Sequence, residues 1–347
     1  MSTTSTEQRA QHVVVGAGPI GQGVARILVG RGDRVVLVSR SGAGPTVAGA
    51  QRVAGDASDG EAMASLARGA AVIYNCANPP YHRWPTDWPP IARSLLGAAE
   101  RGGSVLVTVS NLYGYGLARA ALGVPAYDEA HPMTEETPLA APGRKGSVRR
   151  QMWRDALAAH EAGRIRAVEV RSSDYVGPGA ESVLGERVVP GLLAGKGAFV
   201  LGRTDQPHTW TFTDDVARMA VVAGSDPRAW GRAWHTPSNP PRTQQQAADD
   251  LARVAGVAPV RVRSLPALAL RGLGLTSPLM RELRETEYQF RDAFVMDSSA
   301  ASATFGWEAT AWDTVLAATL RSYGWAEAGR VAPGGAPATE SLPSTMG

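Results

Sequence analysis

The sequence predicts an α/β fold: a doubly wound parallel sheet with a smaller, mostly C-terminal lobe. Three observations carry this. Residues 12–40 read as strand, turn, helix and strand: an apolar run at 13–15, the turn Gly16-Ala17-Gly18-Pro19-Ile20-Gly21, a helix with Val24, Ile27 and Leu28 on one face, and a second apolar run at 35–38. Apolar strands then alternate with amphipathic helices up to about residue 171, a rhythm that implies parallel pairing with right-handed crossovers. Near residue 180 the pattern changes to short strands among helices.

The first turn has the chemistry of a dinucleotide site. Gly16 permits the tight turn, Gly18 lets a pyrophosphate approach the backbone, and Gly21 lets helix and strand pack closely. Pro19 and Ile20 open a helix whose free N–H groups and positive dipole end suit phosphates. The end of the second strand then selects the cofactor. An acid there would accept hydrogen bonds from the adenosine ribose. Here Ser39-Arg40-Ser41 stands instead, and Asp33 lies too early, in the preceding turn. An arginine with hydroxyls suits a 2′-phosphate, so NADP(H) is expected over NAD(H).

The remaining elements follow in order. Residues 1–10 read as a flexible tail. A short third strand over 52–57 ends in Asp56, which either meets the adenine amino group or caps the next helix, expected at 59–68. The fourth strand, 70–77, ends in Asn75-Cys76-Ala77, and the aromatic, proline-rich stretch 84–90 reads either as a wall of a substrate pocket or, the commoner case, as packed loop cover. A helix over 91–100 leads to the fifth strand, 103–110. The segment 111–143, rich in Gly, Pro and acids, is long enough to be functional or disordered. A helix over 147–161 and a sixth strand over 165–171 complete the alternation; Asp174 and Tyr175 follow. Beyond them come a helix near 183–194, a strand at 198–201, a helix from about 214, a strand near 232–236 returning to the sheet, a helix over 243–255 capped by Thr243, and helices near 265–273, 278–290 and 311–322. The dinucleotide domain is therefore expected at 11–178, the substrate lobe at 179–327 and a disordered tail at 328–347.

Composition excludes several alternatives. The 347 residues are 44% apolar with net charge +3, and no basic run is interleaved with aromatics, so nucleic-acid binding is not expected. No apolar stretch is long enough to span a bilayer. One cysteine, Cys76, rules out an intrachain disulfide, and Cys/His metal spacing is absent. A cytoplasmic enzyme with a small-molecule substrate fits these totals; a homodimer is compatible with them.

On these motifs, with Val109-Ser110-Asn111-Leu112-Tyr113-Gly114, the run from Arg171 to Gly179, Phe212-Thr213-Asp214-Asp215-Val216-Ala217 and Gly306-Trp307, the chain resembles the extended short-chain dehydrogenase/reductase superfamily, of the NAD(P)-dependent epimerase/dehydratase type. The resemblance covers roughly residues 12–325 and implies a Rossmann-type sheet and hydride transfer at carbon. It also implies a Ser or Thr at the end of the fifth strand and a Tyr-x-x-x-Lys pair at the next helix. Ser110 matches the first. Lys145, one of only two lysines, matches the last, but Ala141 stands where the tyrosine belongs. Sugar-nucleotide members carry an arginine before the late Asp motif; Pro207-His208-Thr209-Trp210 stands here, which argues against a nucleotide sugar.

The expected site is thus Ser110, Tyr113 and Lys145 for catalysis. The cofactor would meet Gly16, Gly18, Pro19, Ile20, Gly21, Ser39, Arg40, Asp56, Asn75, Cys76, Ala77, Lys145, Asp174 and Tyr175. Tyr81, Trp84, Tyr115, His208 and Trp210 would wall the substrate pocket. Tyr113 or Tyr115 could replace the missing phenol as general acid if a neighbouring cation lowered its pKa. Two functions remain: an NADP(H)-dependent oxidoreductase or epimerase acting on a small non-nucleotide carbonyl or alcohol, or a cofactor-binding sensor or scaffold that has lost turnover.

Overall fold

The structure, a computed structural model, describes residues 9–116, 127–265 and 285–326. The predicted tails apart from residues 9 and 10, the helix near 265–273 beyond residue 265, and most of the helix near 278–290 lie outside these residues.

Seven parallel strands form the central sheet: β1 (Gln11–Val15), β2 (Arg34–Ser39), β3 (Ala50–Ala54), β4 (Ala70–Asn75), β5 (Val105–Asn111), β6 (Arg166–Ser172) and, as the returning strand, β10 (Arg232–His235). Their order is β10-β6-β5-β4-β1-β2-β3. The chain leaves β1 toward β2 on one side and later returns to β4 on the other. Ligands in such sheets bind at that switch point, beyond the carboxyl ends of the strands.

The strands are apolar on both faces because helices cover both. On one face Val14, Leu37, Tyr74, Val107 and Val170 pack with Val24 and Leu28 of α1 (Pro19–Gly30) and Val216 and Ala220 of the helix Thr213–Ser225. On the other, Val13, Val15, Ile73 and Leu106 meet Met63 of α2 (Gly60–Leu66), Leu95 and Ala99 of α3 (Trp84–Gly102), and Ala156 and Ala159 of α4 (Arg144–Glu161). A separate apolar core gathers Leu184, Val188, Trp210, Phe212, Leu251, Val315 and Leu320 into the second lobe. Two short parallel pairs, β7 (Asp174–Val176) with β9 (Trp210–Phe212) and β8 (Ala198–Val200) with β11 (Val262–Ser264), belong to it.

Local signals explain several boundaries. Thr243 caps the helix Gln244–Ala255 in a reciprocal capping box with Gln246. Asp59, rather than Asp56, caps α2; Asp56 instead accepts from Ser58 N and Oγ at 2.9 and 2.8 Å. The 84–90 stretch is not a loop. It opens α3, with Pro85 in the first turn, where a missing N–H costs nothing, and with Pro89 and Pro90 inside the helix. Burial of Trp84 and Trp88 offsets the lost bonds. Among the described residues no helix is long and apolar enough to cross a membrane.

Candidate active site

The glycine turn is built as its spacing demands. Gly16 has φ +110, and a Cβ there would collide with the Cys76 carbonyl. A Cβ on Gly21 would strike the carbonyl oxygen of Gly16. Gly18 differs: nothing lies within 4 Å of its Cβ position, which faces open space. It is also the N-cap of α1 and offers no side-chain cap, so the first N–H groups of that helix remain available.

A cleft of about 980 Å³ runs from this turn across the strand ends. Gly16, Gly18, Pro19, Ile20, Ser39, Arg40, Asp56, Cys76 and Ala77 wall one end, and Tyr81, Trp84, Tyr113, Asp174 and Tyr175 the other. Gly21 sits behind the wall, in the packing role its spacing implied. A dinucleotide fits this shape: an open approach at Gly18, an uncapped helix start beside it, and room beyond. Among the described residues no three His, Cys, Asp or Glu side chains converge as a metal site would require.

Besides Gly21, six expected site residues are not on this wall. Ser110 is buried between Val109 and Asn111, which do line the cleft. Side chains alternate along β5, so the hydroxyl goes to the opposite face; its carbonyl accepts from Tyr175 Oη at 3.4 Å. Asn75 has the same parity problem. It points toward α3 and α4 beside Leu95 and Met152, and accepts from Ala77 N.

Lys145 is buried against Glu285, with Nζ 3.1 Å from Oε2 and 5.5 Å from the Tyr81 ring centroid. Tyr115 is sealed in a network: its oxygen accepts from Arg171 Nη1 at 2.7 Å and lies 2.8 Å from His235 Nε2, while Arg171 pairs with Glu169 at 2.6 Å. Trp210 packs in the second lobe and donates to Arg242 O at 3.0 Å. His208 stands behind the wall, not on it, with Nε2 2.8 Å from Asp174 Oδ2.

The residue that reading the sequence missed is Arg149. It follows Lys145 by one helical turn, lines the cleft, and is only 7% exposed. Its guanidinium stacks on Trp84 and Trp88, 4.6 and 4.4 Å from the ring centroids, yet Nε and Nη1 have no hydrogen-bond partner among the described residues. Burial holds its pKa below the ordinary arginine value, and the nearby Tyr175 oxygen works against that. The signal was present: two tryptophans four apart on a helix form a slot for a cation.

The phenols do not behave as a lowered-pKa acid. Tyr81 and Tyr113 share a short hydrogen bond at the cleft wall. Burial pushes both pKa values up, and the Asp174 charge pushes the same way. Burial likewise lifts the Cys76 thiol to about 12, which favours its protonated form.

The model of the NAD dependent epimerase/dehydratase family matches residues 12–234. No curated protein matches the sequence. Among solved structures, dTDP-glucose 4,6-dehydratase of Bacillus anthracis in complex with NAD is 18% identical, with 91% of this chain and 96% of that chain covered at a TM-score of 0.71. UDP-glucose 4-epimerase of Thermotoga maritima with UDP-glucose is 17% identical, at 90% and 98% coverage and a TM-score of 0.72. The dTDP-glucose 4,6-dehydratase DesIV of Streptomyces venezuelae is 20% identical, at 90% and 97% coverage and a TM-score of 0.69. At these identities the structures agree with the Rossmann-type strand order and no more. The glycine turn, the sheet and a family match over more than half its length concur: the chain belongs to the NAD dependent epimerase/dehydratase family and is an NAD(P)-dependent enzyme.

Proposed function

We propose that the protein is an NADP(H)-dependent oxidoreductase or epimerase of the extended short-chain dehydrogenase/reductase type, acting on a small non-nucleotide carbonyl or alcohol. The observation that carries the substrate half of this reading is Asp174. Where sugar-nucleotide members present an arginine, this chain has His208, turned onto Asp174, so the cleft wall shows a carboxylate. A sugar diphosphate brought there would find His208 already bonded to Asp174 in place of an arginine fork. The UDP-glucose of the Thermotoga epimerase is therefore not carried over to this protein.

The preference for NADP(H) rests on Arg40, with Ser39 and Ser41 beside it on the cleft wall. The alternative acid, Asp33, is 3.5 Å from His12 in the turn before β2. In this reading the turn 16–20 and the start of α1 hold the pyrophosphate, Arg40 and the serines hold the 2′-phosphate, and Asp56 lies at the adenine end. Cys76, Ala77 and Tyr175 enclose the nicotinamide end. Bound there, the nicotinamide supplies or accepts hydride. Arg149 takes the place expected of Lys145, a cation beside the reacting end, and Tyr81, Trp84 and Tyr113 keep water from it.

Titration of the purified protein with NADPH and NADH tests the reading. NADPH is expected to bind more tightly, and Arg40→Ala to lose about tenfold or more for NADPH alone, since a hydrogen bond to a charged group contributes roughly 1.5–3 kcal/mol. UDP-glucose is expected not to bind. Equal affinities for the two nucleotides would overturn the NADP assignment, and saturable UDP-glucose binding would overturn the substrate class.

A further inference from the structure

Two buried histidines in this molecule have different hydrogen-bond arithmetic. His235 is satisfied as a neutral ring: Nδ1–H donates to the Asp297 carbonyl at 2.6 Å, and Nε2 accepts from the Tyr115 hydroxyl at 2.8 Å. Burial holds its pKa down at about 3, in keeping with that. His208 is equally buried, but both of its nitrogens face acceptors. Nδ1 is 3.1 Å from the Gln289 carbonyl and Nε2 is 2.8 Å from the Asp174 carboxylate. Flipping the ring would lose both bonds. A neutral imidazole has one N–H to give, and an ionised carboxylate has none. The pair is satisfied only with one further proton, either on Nε2 or on Asp174.

The surroundings keep that proton in place and aim it. Trp210, Phe290 and Phe294 enclose the imidazole; the rings of Phe290 and Phe294 stack at 4.8 and 5.5 Å. Asp174 is the open side, with its side chain 22% exposed at the cleft wall. The phenols of Tyr81, Tyr113, Tyr175 and Tyr288 all register the Asp174 charge, and Arg149 acts on Tyr81 and Tyr175. All four phenols are pushed up by burial, so none of them supplies an easily released proton.

We propose that Asp174 and His208 hold one proton between them at the substrate end of the cleft, and that Asp174 delivers it to the oxygen of the substrate carbonyl. The proposal rests on the oxidoreductase reading above. In the reductive direction the carbonyl carbon receives hydride, with its electron pair, from a dihydronicotinamide. The C=O π pair moves onto oxygen, the O–H bond at Asp174 breaks and the alcohol O–H forms. The pair, left as carboxylate and neutral imidazole, takes its next proton from solvent. In the oxidative direction the same groups accept the alcohol proton. Asp174 is the catalytic residue; His208 positions it and shares its proton.

The first test needs neither cofactor turnover nor a known substrate. Nitrogen-15 NMR of the six histidines, with His208 assigned by loss of its signals in His208→Gln, is paired with isotope-edited infrared spectra of the carboxyl groups. The expected result at neutral pH is either both His208 nitrogens protonated or a protonated Asp174 carboxyl; in Asp174→Asn, whose amide can donate to Nε2, His208 becomes singly protonated. A singly protonated His208 beside an ionised Asp174 in the wild-type protein would overturn the proposal. The second test is NADPH-linked reduction of 4-nitrobenzaldehyde. Asp174→Asn is expected to lower kcat by about 10²–10⁴-fold, the usual worth of a positioned general acid, with NADPH affinity and melting temperature retained. Unchanged kcat would overturn the delivery step. If the wild-type protein binds NADPH but reduces no aldehyde, the oxidoreductase reading falls and the delivery step with it, while the spectra still decide whether the proton is shared.

Discussion

The two ends of the cleft are made differently. At the dinucleotide end, backbone does the work: a turn without side chains, an uncapped helix start and an open approach at Gly18. At the substrate end, side chains do it, brought from far apart: Tyr81 against Tyr113, Arg149 against Trp84 and Trp88, Asp174 against His208. A backbone site is written in a few adjacent residues and tolerates little change. A side-chain site is assembled by the fold, and its residues can be exchanged while the scaffold stays.

The largest expected effect separates two glycines three apart. Gly21→Ala places a methyl against the Gly16 carbonyl, with the Cys76 Cβ also near and no flexible side-chain end to yield. We expect a loss of about 4 kcal/mol in denaturant unfolding, in the range reserved for severe steric faults. Gly18→Ala meets no atom, and Gly18 sits at φ −71, which alanine adopts readily. Its stability should stay within about 0.5 kcal/mol of wild type, while NADPH affinity falls at least tenfold. Equal destabilisation by the two would break the comparison, because Gly18 would then be structural too.

The same contrast accounts for what the sequence made legible. The seven strands, the glycine turn and the Thr243 cap follow from local pattern, and each was predictable. The substrate end failed by small displacements. Ser110 lost its place to Val109 and Asn111 because strand side chains alternate, so an error of one residue reverses the face. Of the two cations on that helix face Arg149 lines the cleft, one helical turn beyond Lys145, and telling them apart required knowing that Glu285 engages the lysine. No local pattern joins Asp174 to His208, 34 residues later. The helix at the start of α3 was hidden by Pro89 and Pro90, since proline argues against helix while Trp84 and Trp88 burial argues for it.

Arg149 gives a second, smaller test of the substrate end. Its two unpartnered N–H-bearing nitrogens lie in a nearly dry setting, and a buried charge without a partner costs stability. Replacing a buried ion pair by apolar chains of similar volume is often neutral or stabilising by about 1–4 kcal/mol, and a lone cation with unpartnered nitrogens carries the same kind of desolvation cost. The lost stacking on Trp84 and Trp88 offsets part of this, roughly 0.5–1 kcal/mol for each ring. Arg149→Met should therefore unfold at higher denaturant, with a net gain of about 1 kcal/mol, and should lose turnover. Destabilisation of the variant would mean that the guanidinium serves the fold rather than the site, and that the substrate end is as structural as the glycine turn.

The smallest effect lies outside the cleft and checks that stability and site chemistry are separable. Glu135 accepts the His235 backbone N–H at 2.9 Å, and burial raises its carboxyl pKa above the ordinary value of 4.5. A carboxyl raised in the folded state binds its proton more tightly there than in the unfolded chain. Its contribution to stability is therefore fully present below the unfolded value and is lost as pH rises through the folded one. Glu135→Gln keeps the acceptor and removes the ionisation. The variant should match wild type in acid and exceed it at neutral pH by less than about 1 kcal/mol. Asp215, also raised by burial, leaves a similar slope in both proteins. Denaturant unfolding of the two proteins across this range reads the difference directly. A variant that is less stable at neutral pH would show that the ionised carboxylate, and not merely its acceptor oxygen, holds the His235 strand end, and NADPH affinity should be unchanged in either case because Glu135 does not touch the cleft.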